Sequence, residues 1–448
     1  MANILNPPVS EPLVEQSISL QAARRRALWA RARTWSPKGA LALVDQGLIS
    51  GANFIVGIVL ARHLAAGQYG AYGVAFQAYL FLSVAYAALV LEPFSVFGSS
   101  VYRNSNREYL GALLRIHCIV AGIILAGLCA CLWVLRLISP SSQLTAALIG
   151  VGVASPCLLL FSLARRGFYV KLSPLQAALG ALGYFAIVLG GLLLGFYRGA
   201  LSPLLAFLLF AAGAGVTAPM MLAKLRFTLK PSHVTLKLSE ILHRHWGYGR
   251  WALGSAVAVW FSTAIYYPVL GSFHGLADTG ALQALSNFSS PVGQAFAAMS
   301  LLSLPYAAGI HYQKTARGTE HLAAKLALIY AGGTILYWLL VILFRRPIVA
   351  NLYAGKYMGI IAMIPWLGLA SVLRISATSQ AIILRAMHAP YLVFVAYGAA
   401  SVVDVVAGIP FTWAFGLWGA IFGMVLASAV ALTVTIVMLR RYTPAVSS

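Results

Sequence analysis

The sequence predicts an all-α polytopic membrane protein, with about twelve transmembrane helices in two six-helix bundles related by a pseudo-two-fold axis along the membrane normal. Three observations carry that prediction. Hydrophobic residues are 61% of the 448 and charged residues 9%, where a soluble domain is about a quarter charged. Apolar runs of spanning length, about 20 residues each, fall near 40–61, 71–97, 109–134, 144–164, 175–196, 202–222, 250–273, 279–308, 321–343, 359–385, 391–414 and 418–439. A weak internal repeat sets IVLARHLAAGQYGAY at 58–72 against PVLGSFHGLADTGAL at 268–282, with Gly70 on Gly280. One unit therefore occurs twice.

The runs are continuously apolar. Barrel strands would be about 10 residues with alternating polarity, so helices are the spanning form. The divisions read as a basic cytoplasmic segment over 1–39, an N-terminal bundle over 40–222, an amphipathic cytoplasmic linker over 223–249, a C-terminal bundle over 250–439 and a cytoplasmic tail over 440–448. The fifth and sixth runs, rich in Gly and Ala, suit close helix packing. In the linker, Leu238, Ile241, Leu242 and Trp246 are expected to share an apolar face, with Arg244 and His245 elsewhere.

Charge sets the topology. With both termini inside, 22 of the 31 Lys and Arg lie in or beside cytoplasmic segments and six in outside loops. That bias predicts cytoplasmic termini for a multi-pass protein. It also accounts for most of the net +22, so nucleic acid is not an expected partner; membrane lipid is. No cleavable signal stands ahead of the first run. Cys118, Cys129, Cys131 and Cys157 all fall inside runs without a C-x-x-C pair, and His233, His243 and His245 lack carboxylate or thiol partners, so neither metal nor cofactor is expected.

The first run carries a polar stripe. Gln46, Ser50, Asn53 and Gly57 step by four, three and four, which is one helical face. In the eighth run Gln283, Asn287, Ser290 and Gln294 repeat the same steps, with Pro291 breaking a backbone bond. Such stripes line a wet cavity or serve as polar glue between helices. Arg374 falls near the middle of the tenth run, where insertion costs about 2.5–3.5 kcal/mol. An anionic ligand or a carboxylate such as Asp404 should offset it. Asp45, Glu92 and Asp404 are the carboxylates within or beside runs, hence the candidate coupling or protonatable groups, or else structural ion-pair partners. For Glu92 the structural partner would be Arg103 or Arg107. His117 reads as a structural residue.

LVDQGLISGANFIVGIVLARHLAAGQYGAY, beginning at Leu43-Val44-Asp45, resembles the start of polysaccharide transporters. These are the O-antigen and exopolysaccharide repeat-unit flippases of the multidrug/oligosaccharidyl-lipid/polysaccharide exporter superfamily. LYAGKYMGIIAMIPWLGLA, with Gly355, Tyr357 and Pro365, is similar to their segment around the tenth span, and the likeness covers 40–440. Two departures stand out: Tyr266 where many relatives have an acid, and Leu282 where they tend to have an aromatic. Lipid II flippases are similar but usually have fourteen spans. The resemblance implies a flippase that moves polyprenyl-pyrophosphate-linked oligosaccharide across a bacterial inner membrane by alternating access, for surface or exopolysaccharide biosynthesis, alongside a polysaccharide polymerase and chain-length machinery. Spans one, two, seven and eight would wall its cavity. Arg374, Gln46, Ser50, Asn53, Gln283, Asn287 and Gln294 would bind substrate, and Asp404, Glu92 or Asp45 would couple ions. The competing reading is a cation-coupled multidrug exporter of the same superfamily. No D-x-D pair for a nucleotide sugar is present, so no enzyme is expected.

Overall fold

The computed structural model describes residues 38–138, 143–227, 237–296, 299, 316–387 and 389–445. Most of the basic leader, His233 and the last three residues lie outside the described residues. Every described element is helical. The N-terminal bundle comprises α1 (Lys38–His63), α2 (Ala66–Ser99), α3 (Asn106–Ile138), α4 (Leu144–Val170), α5 (Pro174–Tyr197) and α6 (Pro203–Leu225). The C-terminal bundle opens with α7, Leu238–Ala264 and Tyr266–Phe273 with a turn at Ile265 between them. Next come α8 (Leu276–Asn287, resuming over 290–296), α9 (Ala316–Leu343) and α10, a 3₁₀ turn Met358–Met363 running into Ile364–Ala386. The last stretch, Tyr391–Arg441, counts as one of ten helices long and apolar enough to cross a membrane. It is two: Gly416 at φ 58°, ψ −132° separates α11 (Pro390 onward) from α12 (417–445). Among the described residues, α8 is the one expected span of the twelve that is not described over a full crossing length. A short helix, Arg345–Tyr353, joins α9 to α10.

α4 packs on α2, α3 and α6 and is the centre of its bundle; α10 packs on α9 and on the α11–α12 pair. α3 turns Ile119, Ile123, Leu125 and Trp133 outward. In a bilayer these meet acyl chains at no cost. The glycines of α5 and α6 serve packing as expected: a Cβ at Gly180 would stand 2.3 Å from Met221 and one at Gly213 2.9 Å from Tyr184.

The repeat is visible in the contacts. A Cβ on Gly70 would lie 1.7 Å from the Leu276 carbonyl oxygen, and a Cβ on Gly280 would lie 2.4 Å from that of Ala66. The offset of 210 carries Ala66 onto Leu276 and Gly70 onto Gly280. Residue i touches the partner of j while j touches the partner of i, the signature of a two-fold axis. This seal lies at the end of the molecule holding the α1–α2 turn, hereafter the turn end. There Arg62 also donates to the Asn351 carbonyl at 3.3 Å and Lys356 to that of Leu64 at 3.0 Å.

Toward the opposite end, His245 links the halves. Pro93 has no N–H to offer the Leu89 carbonyl four residues back, and a π turn over Ala87–Leu91 precedes it. His245 of α7 supplies the missing donor: Nδ1–H to Leu89 O at 2.9 Å. With Nδ1 donating, Nε2 accepts from the Tyr109 hydroxyl of α3 at 2.6 Å. Burial pushes the His245 pKa below its ordinary value, with the Leu89 contact partly opposing. The expected amphipathic linker helix is thus the start of α7, and its faces differ from expectation. Ile241 and His245 are buried, whereas Leu242 and Trp246 are exposed. The freed carbonyl demands a donor, while Leu and Trp sit well against lipid.

Candidate functional site

A cavity of about 290 Å³ lies among α7, α8, α10, α11 and α12, with Gln77 of α2 the N-terminal bundle's contribution. Ser, Thr and Tyr hydroxyls supply most of its polar lining, set among apolar side chains. Ser371, Arg374 and Thr378 share one face of α10 by their spacing. Thr378 donates to the Arg374 carbonyl at 2.9 Å and lies 2.8 Å from the Tyr397 hydroxyl of α11, which donates to it. The Tyr267 hydroxyl donates to Ser286 at 2.8 Å, and Ser289 and Ser371 approach to 3.3 Å. No carboxylate lines the cavity. Arg374 projects into it with no ion pair and no side-chain hydrogen bond among the described residues. Tyr267 and Tyr397, which line the same cavity, stand close enough to act on its charge.

Asp404, the carboxylate the sequence offered to Arg374, is engaged elsewhere. It begins a π turn in α11, is fully buried and accepts from the Tyr266 hydroxyl at 2.6 Å. Gly408 and Gly423 press on that phenol, each leaving no room for a Cβ. Its Oδ2 makes no hydrogen bond among the described residues.

The first half handles the same problem differently. Pro156 and Arg165 of α4 stand nine residues apart, as do Pro365 and Arg374 of α10, so the two arginines are counterparts. Arg165 is paired: it donates from Nε to Asp45 Oδ1 at 3.0 Å and from Nη2 to Oδ2, and the Tyr169 hydroxyl donates to the same carboxylate. The offset of 210 places Ser255 where Asp45 stands. The C-terminal arginine therefore lacks the acid its counterpart has.

The polar stripes meet each other only in part. Gln46 contacts Ser50 at 3.3 Å within α1 and Gln294 of α8 at 3.4 Å across the halves. Gly57 abuts Asn287, which is buried and donates to Tyr69 at 2.9 Å and Tyr353 at 3.3 Å. Gln283 is buried against Gly73. Asn287 and Gln283 thus sit in dry contact near the turn end, Ser290 lines the cavity, and Gln294 is exposed. Asn53 lines a separate crevice of about 30 Å³ with Tyr79, Arg165 and Tyr184. α1 therefore does not wall the larger cavity, contrary to expectation; α10, α11 and α12 do. Glu92 is exposed and feels Arg166 and Arg385. His117 is buried beside Tyr86 at 3.1 Å, and no metal-ligand cluster occurs among the described residues.

Sequence reasoning missed Tyr397, Tyr69 and Tyr353, because a tyrosine in an apolar run gives no periodic signal by itself. It also did not identify Arg165 as the cation that a buried Asp45 calls for.

No protein-family model matches the sequence, and no curated protein matches it. Solved structures do. A multidrug resistance MATE family transporter of the MOP superfamily, inward-facing, aligns with TM-score 0.74 over 90% of this chain and 98% of that one, at 14% identity. The chain has the fold of the MOP superfamily. An outward-facing multidrug resistance MATE family transporter aligns at TM-score 0.66 and 13% identity, over 92% and 95% of the two chains. A MOP superfamily transporter from Pyrococcus furiosus, with a binding pocket of reverse polarity, aligns at TM-score 0.66 and 13% identity over the same shares.

Proposed function

We propose that this chain is an alternating-access transporter whose C-terminal cavity holds an anionic, hydroxyl-bearing part of its cargo. The observation that carries the reading is Arg374: a guanidinium with no ion pair among the described residues, in a cavity whose described lining carries hydroxyls and no carboxylate. A planar fork of donors in a low-dielectric site suits phosphate or carboxylate. With the termini cytoplasmic, as the basic bias implies, the Gly70–Gly280 seal faces outward. The greater likeness to an inward-facing structure agrees with that orientation.

Two cargo classes compete. The named multidrug transporters among the structures of this fold favour a cation-coupled multidrug exporter over a flippase for polyprenyl-pyrophosphate-linked oligosaccharide. The cavity's charge favours anionic cargo, and the Pyrococcus furiosus protein is one whose reverse pocket polarity suggests a different function within this fold. At about 290 Å³ the cavity is at the small end of ligand sites; it suits a phosphate with its adjoining sugar and not a whole oligosaccharide. Where ions drive the cycle, Asp404, with its unbonded oxygen, is the favoured coupling carboxylate over Asp45 and Glu92.

The test is transport in proteoliposomes carrying the full chain, comparing a fluorescent polyprenyl-pyrophosphate disaccharide with a cationic dye. Faster glycan translocation that falls at least tenfold in Arg374→Ala is the expected result. Dye transport indifferent to Arg374, with no glycan translocation, would establish the exporter instead.

A further inference from the structure

A second opening, about 820 Å³, lies outside the transport cavity, where α2, α3 and α4 reach the end of the molecule that holds the termini. Arg103, Arg166 and Lys171 line it. Arg107 and Arg226 stand close enough to act on Lys171. Glu92 acts on Arg166, while Asp45 is committed to Arg165; no carboxylate is among the residues lining the opening. Burial, and then Arg107 and Arg226, push the Lys171 pKa below its ordinary value, as expected where cations face one another without an anion.

The lining donors divide into spent and free. Ser95 and Ser99 donate to carbonyls of their own helix, and Asn106 to Gly98 O at 3.1 Å. Lys171 Nζ gives one bond, to Leu225 O at 2.8 Å, leaving two protons. The guanidinium groups of Arg103 and Arg166 make no hydrogen bond among the described residues. The bias of basic residues toward one side of a membrane accounts for their number at this end. It does not account for three of them converging on one concave opening.

The rim is apolar. Leu172, a lining residue, is 55% exposed and takes the left-handed conformation at φ 54° that ends α4, a place glycine commonly fills. Val96 and Val101, beside Ser95 and near Arg103 in the chain, are 40% and 55% exposed. Cationic donors under an apolar rim match an amphiphile better than a free ion.

We propose that this cleft binds the phosphate of an anionic phospholipid headgroup, on Arg103, Arg166 and Lys171, with the acyl chains over Leu172, Val96 and Val101. The lipid joins the ends of α2, α3 and α4 from the leaflet on the side of the termini. The site is independent of the cargo.

Native mass spectrometry of the full-length protein in detergent, titrated with phosphatidylglycerol, tests this. Each basic residue near an anionic lipid contributes about 1 kcal/mol, about fivefold in affinity. Arg103→Gln/Lys171→Gln should therefore weaken phosphatidylglycerol binding about 25-fold. Arg136→Gln/Arg198→Gln, which removes equal charge at the turn end, should leave it unchanged, as should Arg374→Ala. Phosphatidylcholine should not compete. Equal losses in both double variants, or equal binding of phosphatidylcholine, would overturn the site. Displacement of the lipid by inorganic phosphate at matched concentration would make the ligand a soluble anion and overturn the lipid assignment. Arg103→Gln alone, expected to cost about fivefold, carries the test should Lys171→Gln fail to fold, since the Arg103 side chain bonds to no described residue.

Discussion

Replacing Gly70 with alanine should open the turn end. The new Cβ would lie 1.7 Å from Leu276 O and 2.7 Å from Leu276 C, both backbone atoms. No rotamer change relieves a backbone contact, and ordinary separation starts at 3.4 Å. The two halves must part there by more than an ångström. Overpacking of this kind costs about 1–3 kcal/mol, which converts to a shift of roughly 5- to 150-fold in the ratio of sealed to open forms. Spin labels at Arg198 and Met358, exposed sites at the turn end of opposite halves, would report it by double electron–electron resonance in a background free of the four native cysteines. The expected result is a longer, broader distance distribution for Gly70→Ala. Gly190→Ala, where a Cβ would meet nothing within 4 Å, should match the parent. An unchanged distribution in Gly70→Ala would refute the argument that the seal is a backbone contact at the two-fold axis.

Further outcomes follow from single contacts. His245→Ala leaves Leu89 O and the Tyr109 hydroxyl unpaired and should cost roughly 2–3 kcal/mol, read as a lower unfolding midpoint. His245 titrates lower when folded than when unfolded, so its contribution is complete above about pH 6.5 and declines as the pH falls below that value; His245→Phe should lose this slope. Asp45→Asn breaks a buried pair and should destabilise by about 3 kcal/mol or more, whereas Asp45→Asn/Arg165→Met should recover part of the loss in a double-mutant cycle. Tyr266→Phe strips buried Asp404 of its hydrogen bond and should lower the midpoint by the equivalent of about 1–3 kcal/mol; an unchanged midpoint would mean that another group takes over.

The helices and the duplication were legible because length and apolar character are local properties. The seam was not, for the repeat set Gly70 on Gly280 without showing that the two turns meet at the two-fold axis. The cavity wall was legible only in part. A four-three-four stripe identifies a polar face but not what covers it, and Asn287 finds tyrosines where Ser290 finds open space. Arg374 stood out from its cost in a membrane alone. Its freedom from Asp404 could not be read, because Tyr266, 138 residues away in the chain, holds that acid. The His245 link was hidden for a related reason: Pro93 announced a carbonyl without a donor but not which helix would supply one.

The two arginine counterparts, one with its own acid and one without, make the halves electrically unequal. In the first half Asp45 neutralises the buried Arg165 whether or not anything is bound. On the reading proposed above, Arg374 gains its counter-charge only when an anion arrives from outside the chain. Such a protein draws part of its folded stability from what it carries, and a saturating ligand should raise its melting temperature by mass action. A screen for molecules that do so would reveal the cargo without any transport measurement.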